Sequence, residues 1–220
     1  MSNYIKLLPS YLIKRYKSWK ITGYEENKSW YNKIANEGQN PSSMVISCCD
    51  SRLHVTSIFG ADSGEFFIHR NIANLVPPYN PDGDHHGTSA AVEYAVKILK
   101  ISNIIIIGHS KCGGINSGYH LCKNKSIIED TIFIDKWLNI LRPAFQKVTN
   151  SNKSISDEDG INVLEKESIK TSIDNLINFP FIKESLKKNE LALHGLWHDI
   201  GTGNIEFLDP NSLNFIKLLI

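Results

Sequence analysis

His109 and Cys112 stand three residues apart in the stretch SNIIIIGHSKCGG, directly behind an apolar run. An imidazole nitrogen and a thiolate are donors that suit Zn²⁺. H-x-x-C alone is a weak signal, but a second stretch, MVISCCDSR, repeats its logic and supplies Cys48, Asp50 and Arg52. Cys48, His109 and Cys112 make a Cys₂His set of three protein ligands. Structural zinc is usually closed by four protein ligands, whereas catalytic zinc keeps one position for water or substrate. Asp50 could occupy that position, and Arg52 could draw it away through charge-assisted, bidentate hydrogen bonds that a lysine could not reproduce.

Each residue has an ordinary reading when taken singly. Cysteine is often buried without a role, and an aspartate two residues from an arginine is commonly a surface ion pair. Two strand-end motifs together carry the metal reading. Zinc lowers the pKa of a bound water. Two thiolates cancel the formal charge of the metal, so that water should ionise at higher pH and turnover should climb through the mildly alkaline range.

The elements that position these residues follow from hydrophobic pattern. Ile104 to Ile107 is a short β-branched run of the kind found in strands buried on both faces, and Gly108 ends it. Met44 onward reads as a second such strand and Glu65 to Arg70 as a third. Leu53 to Phe59 is expected to be helical. The loop ANLVPPYNPDGDHHG leads to a helix capped by Thr88 or Ser89 and ending near Lys100. Ile134 to Val148 keeps helical spacing, with Pro143 as a kink or break. Asn150 to Gly160 reads as a polar loop, and Leu164 to Ile177 as a helix that stops before Phe179-Pro180. Glu190 to His198 reads as a strand, with Asn204 to Leu208 as an antiparallel edge hairpin.

This alternation predicts an α/β fold: a mainly parallel central sheet of about four strands, plus an antiparallel edge strand, flanked by helices. Leu8, Leu12, Tyr16 and Trp19 fall at roughly helical spacing in the first 35 residues. Residues 1–220 are read as a single domain of which 1–35 form an N-terminal helical arm. A short amphipathic helix is marginal alone in water, so its apolar face needs a partner.

Composition narrows the classes. Of 220 residues, 41% are hydrophobic and 21% charged, as in globular proteins. Twenty-four Lys plus Arg against 23 Asp plus Glu leave +1, which favours neither nucleic acid nor an anionic membrane as partner. No stretch reaches membrane-spanning length, and no signal-peptide pattern precedes the cysteines. Metal-bound thiolates in a reducing cytoplasm explain the four cysteines better than disulfides do. Of eight histidines, only His109 has ligand context. His85 and His86 read as exposed loop residues, and His69 and His194 as structurally hydrogen-bonded. His54 and His120 could relay protons.

C-x-D-S-R at Cys48 to Arg52 and H-x-x-C-G-G at His109 to Gly114 together resemble the β-class carbonic anhydrases. HRNIAN at His69 to Asn74 matches that family's H-R-N-x-A-N, and SAAVEYAV at Ser89 to Val96 matches its helix before the second ligand strand. The resemblance implies zinc-dependent, reversible hydration of CO₂ to bicarbonate and a proton, by zinc-bound hydroxide, with one Zn²⁺ per chain. It implies Asp50 and Arg52 as the catalytic pair, with Asp50 a metal ligand only in a closed state. Gln39, Phe67 and Tyr94 would line the CO₂ pocket from across a dimer interface, and Ile72 and Gly113 from the same subunit. A homodimer or homotetramer follows, with the helical arm lying on a neighbouring subunit. Some members store inhibitory bicarbonate between Trp, Arg and Tyr; the matching positions here are Val45, Arg70 and His198, so only the arginine remains. The alternatives are a same-fold CS₂ or COS hydrolase and a non-catalytic zinc or thiol module.

Overall fold

The computed structural model describes residues 4–83, 86–124 and 131–219. The first three residues of the expected arm, and His85, lie outside them. The chain divides into two compact units, Met1–Asn40 and Pro41–Ile220. In the first, α1 (Ser10–Trp19) runs into a π-helical turn at Lys20–Tyr24, and α2 follows (Lys28–Glu37). Its apolar side chains stay largely exposed, Leu8, Leu12, Tyr16 and Trp19 among them. Trp19, Tyr24 and Tyr31 meet edge-on or stacked, with centroids 5.3–5.9 Å apart.

The second unit is built on one sheet. Its strands are β1 (Ser43–Cys48), β2 (Phe66–Asn71), β3 (Asn103–His109), β4 (Ala192–His198), β5 (Ile205–Leu208) and β6 (Phe215–Lys217), in the order β2-β1-β3-β4-β5-β6. The first four are mutually parallel, and β5 and β6 are antiparallel. The period-2 geometry of strands sends Met44, Ile46, Ile104 and Ile106 into one core layer and Val45 and Ile107 into the other, which explains unbroken apolar runs in β1 and β3.

From β1 the chain turns to β2 on one side, then crosses to β3 on the other. That reversal is the topological switch point, the place where open α/β sheets leave a crevice at the carboxyl ends of the strands. Ser47 pairs with Ile107 across it, so Cys48 and His109 leave the sheet side by side.

The helices are α3 (Val55–Phe59), α4 (His86–Glu93), α5 (Gly113–Asn124), α6 (Phe133–Leu138), α7 (Arg142–Ser151), α8 (Asp157–Ile177) and α9 (Pro180–Lys187). Three expectations need correction. α4 begins at His86, ahead of Thr88 and Ser89, so neither is its cap; Thr88 is buried and meets His69 Nε2 at 3.0 Å instead. α8 begins at Asp157, within the expected loop, because Ser156 Oγ accepts the Asp159 amide and three acidic residues fill the first turn. As expected, α8 stops at Ile177, before Phe179-Pro180; Pro180 then opens α9, since a proline in the first turn sacrifices no helical hydrogen bond. β6 lies beyond β5, so β5 is not the edge; three residues are too few for a period to show in sequence.

Candidate metal centre

Cys48 is the last residue of β1 and His109 the last of β3. Cys112 immediately precedes α5, and its carbonyl accepts the Asn116 amide at 3.0 Å. All three side chains are buried, with ligand atoms within 4.8 Å of one another. Among the described residues no other group of three His, Cys, Asp or Glu is so arranged.

Three observations test whether these residues fit a zinc ion. The two sulfurs lie 3.8 Å apart, and sulfurs about 2.3 Å from a shared tetrahedral centre would be about 3.8 Å apart. His109 Nδ1 lies 2.9 Å from the Ser110 carbonyl, which makes it the N–H donor and leaves Nε2 bearing the lone pair. That Nε2 is buried without a hydrogen-bond partner, a costly state for a polar atom unless it serves as a ligand. The thiols agree. Hydrogen bonding to Cys112, joined by the Asp50 and Ala73 amides, holds Cys48 below an ordinary thiol against the opposing effect of burial. The same Cys48 hydrogen bond, with burial, pushes Cys112 up. Two thiolates this close repel, and a divalent cation removes that repulsion. The donor set fits Zn²⁺.

The carboxylate of Asp50 sits beside this cluster, Oδ2 lying 3.9 Å from His109 Nε2. Arg52 holds it at both oxygens: Nε donates to Oδ1 at 2.9 Å, Nη2 to Oδ2 at 2.7 Å, and the Arg52 amide adds a bond to Oδ1 at 3.0 Å. This guanidinium keeps the Asp50 carboxyl well below the usual carboxylate range. Arg52 Nη2 also donates to the Lys111 carbonyl at 3.0 Å, tying the two strand ends together.

Arg70 braces the same turn from β2. Its guanidinium donates to the carbonyls of Cys48, Asp50 and Leu53 at 2.8–3.0 Å. Val45 is fully buried, and His198 is nearly so.

Of the pocket residues, Phe67 and Tyr94 stack with centroids 5.8 Å apart. Ile72 is 40% exposed and borders an apolar groove of about 730 Å³ with Cys49, His69 and Trp137. A Cβ on Gly114 would meet Ile72 Cγ2 at 2.8 Å, so the glycine allows Ile72 to approach the Cys112 turn, whereas Gly113 faces open space. Gln39 belongs to the first compact unit, and Phe67, Ile72, Tyr94 and Gly113 belong to the second. Among the histidines, His194 bonds Asn103, and His54 bonds Thr56 and Ser57.

Sequence reasoning missed Glu165. It lies on α8, 1% exposed, with Oε1 accepting the Cys112 amide at 3.2 Å and Oε2 accepting Trp197 Nε1 at 3.1 Å. Burial pushes its carboxyl up despite both bonds. Glu165 is followed by the polar Lys166, Glu167 and Ser168, so the local pattern offered no signal for it.

Fold and site thus define a Cys₂His metal centre at the switch point of an open α/β sheet. The carbonic anhydrase family model matches residues 43–205. Beta carbonic anhydrase 3 of Arabidopsis thaliana is 38% identical over 188 residues, covering 86% of this chain and 72% of that protein. The structure of the β-carbonic anhydrase CcaA superimposes with a TM-score of 0.87 at 29% identity, over 95% of this chain and 91% of the other. One of two tetrameric β-carbonic anhydrases from Sordaria macrospora gives 0.77 at 31% identity, over 90% and 95%. The chain belongs to the β-carbonic anhydrase family, and its activity is the zinc-dependent, reversible hydration of CO₂. Neither CS₂ or COS hydrolysis nor a non-catalytic thiol role is favoured.

Proposed function

We propose that Cys48, His109 and Cys112 hold one Zn²⁺ per chain, that Asp50 and Arg52 form the catalytic pair, and that CO₂ binds in a pocket shared between subunits, against Ile72 and Gly113 of the same subunit and Gln39, Phe67 and Tyr94 from across a dimer interface. The observation that carries this reading is the buried, unpartnered Nε2 of His109 beside two sulfurs. Zn²⁺ bound there would supply the Lewis acidity that makes water a nucleophile. Asp50 accepts a hydrogen bond from the attacking water and so aims the oxygen lone pair at the carbon of CO₂. Arg52 fixes Asp50 in that pose through its two-point grip, and this grip keeps the carboxylate from serving as a fourth ligand. The products are bicarbonate and a proton, which leaves to solvent or buffer.

Apolar walls suit an uncharged, nonpolar substrate. The Phe67–Tyr94 stack and the position of Ile72 support its placement; Gln39 rests on family resemblance alone. Arg70 is committed to three backbone carbonyls, which supports a structural role for it over bicarbonate storage.

Residues 1–35 act as an arm of one catalytic domain, and the active form is a homodimer or homotetramer. The exposed Leu8, Leu12, Tyr16 and Trp19 support this, as do the relatives described as tetrameric. A cytoplasmic setting accords with four free cysteines, two of them needed as thiolates; no helix of the described residues is long and apolar enough to cross a membrane.

The decisive experiment is stopped-flow CO₂ hydration with zinc content measured on the same sample. Turnover proportional to zinc, at about one ion per chain, is the expected result; turnover that is independent of zinc would refute the site. Light scattering at assay concentration checks the assembly, and fully active monomers would sink the shared pocket.

A further inference from the structure

The peptide that joins Lys111 to Cys112 is gripped at both ends by opposite charges. Its carbonyl oxygen accepts from Arg52 Nη2 at 3.0 Å, and its N–H donates to Glu165 Oε1 at 3.2 Å. Lys111 itself sits at φ 55°, a left-handed conformation that a side chain bearing a Cβ seldom adopts without support. On the far side of the carboxylate, Trp197 Nε1 donates to Oε2 at 3.1 Å. Each carboxylate oxygen of Glu165 therefore accepts an N–H, and the side chain is 1% exposed, on a helix whose neighbouring positions Leu164 and Ile169 are core. Burying a carboxylate is costly unless its hydrogen bonds repay the lost hydration, and an aliphatic residue would pack this helix against the sheet without that cost.

We propose that Glu165 is a positioning residue of the metal centre: it orients the Lys111–Cys112 peptide and thereby places the Cys112 sulfur and the carbonyl that steadies Arg52. The inference rests on the reading of Cys112 as a zinc ligand. Through Arg52 it reaches Asp50, so one buried carboxylate sets the direction of a ligand and of the catalytic pair. Both carboxylate oxygens accept, whereas an amide accepts at one end only. Glu165→Gln thus leaves either Cys112 N–H or Trp197 Nε1 facing an NH₂ group, at almost unchanged volume.

The test compares wild type, E165Q and W197F in two measurements: the rate of zinc release to a chelator, and the thiolate-to-cobalt absorption of the Co²⁺-substituted protein. E165Q should release zinc roughly tenfold faster or more, the usual scale for losing a hydrogen bond behind a metal ligand, and its cobalt bands should shift. W197F keeps the carboxylate on Cys112 and should change both less. Thiolate bands that are present in wild type and unchanged in E165Q, with wild-type release, would overturn the role of Glu165 while leaving the ligand assignment standing. Absence of thiolate bands in wild type would sink the ligand assignment and this inference together. If E165Q does not fold, hydrogen exchange at the Cys112 amide of the wild-type protein decides. Strong protection is expected, and exchange at the rate of an exposed amide would overturn the proposal.

Discussion

The two turns that meet at the switch point solve the same problem with opposite charges. The turn after β1, Cys48 to Leu53, carries an acid and is braced by cations: Arg52 clamps Asp50, and Arg70 gathers three of the turn's carbonyls. The turn after β3, Ser110 to Cys112, carries a thiol and is braced by anions. Glu165 takes the Cys112 amide, and Asp199 Oδ1 accepts from Ser110 Oγ at 3.3 Å. A guanidinium donates, so it satisfies carbonyls and a carboxylate; a carboxylate accepts, so it satisfies amides and hydroxyls. Each turn therefore recruits the charge that complements the backbone groups it exposes. Arg52 belongs to both, bonding Asp50 on one side and the Lys111 carbonyl on the other.

Breaking the thiol turn should have the largest effect. Cys112→Ser exchanges a soft thiolate for a hydroxyl that binds zinc poorly at neutral pH. Zinc content should fall from about one ion per chain to a small fraction of that, and activity with it. Full occupancy in a folded C112S protein would show that the sulfur is not a ligand. Breaking the acid turn should come next. Arg52→Ala frees Asp50 from its two-point grip, and misplacement by about 1 Å is enough to lower turnover about 100-fold. Arg52→Lys should recover only part of that loss, because the planar fork is gone. Equal rates for the two variants would mean that charge alone matters.

A smaller effect probes the strand that carries His109. In Gly108→Ala the new Cβ would approach Ile169 Cδ1 to 2.9 Å, between β3 and α8. Overpacking of this kind costs about 1–3 kcal/mol, read as a lower denaturation midpoint at an unchanged m-value; an unchanged midpoint would show that Ile169 yields freely. The smallest effect sharpens the anionic half of the comparison. The Gly201 amide, followed by Thr202 and Ser110, holds the Asp199 carboxyl below its ordinary range. A depressed carboxyl contributes stability above its unfolded pKa and loses it as pH falls through the folded one. Asp199→Asn should therefore lower stability slightly at neutral pH and flatten its decline in acid. Parallel curves for the two proteins would remove Asp199 from the brace.

Much of the acid turn was legible in sequence because its parts are neighbours. Asp50 and Arg52 are two residues apart, and a bidentate pair at that separation follows from residue type once the strand before it is recognised. The thiol turn was legible only in its donors. His109 and Cys112 are three residues apart, but Glu165 acts from 53 positions downstream and Asp199 from 89 away from Ser110. Glu165 sits among Leu164, Ser168 and Ile169, where nothing in the local pattern marks a carboxylate as buried. Elements were similarly readable where they were long and apolar, as in β1 and β3, and misread where a cap decided the boundary. Ser156 converts an apparently polar loop into the first turn of α8 by satisfying an amide that composition does not reveal.

Local chemistry thus determined the donor types, the strands that deliver them and the pairing of Asp50 with Arg52, because each depends on residues within a few positions of one another. Tertiary structure alone decided that β1 and β3 are neighbours with Ser47 level with Ile107. It decided that α8 would press Glu165 against the Cys112 amide, and that Arg70 would spend its guanidinium on backbone carbonyls. Those outcomes depend on sheet order and helix packing, which sum weak preferences over the whole chain, so no short stretch of sequence contains them.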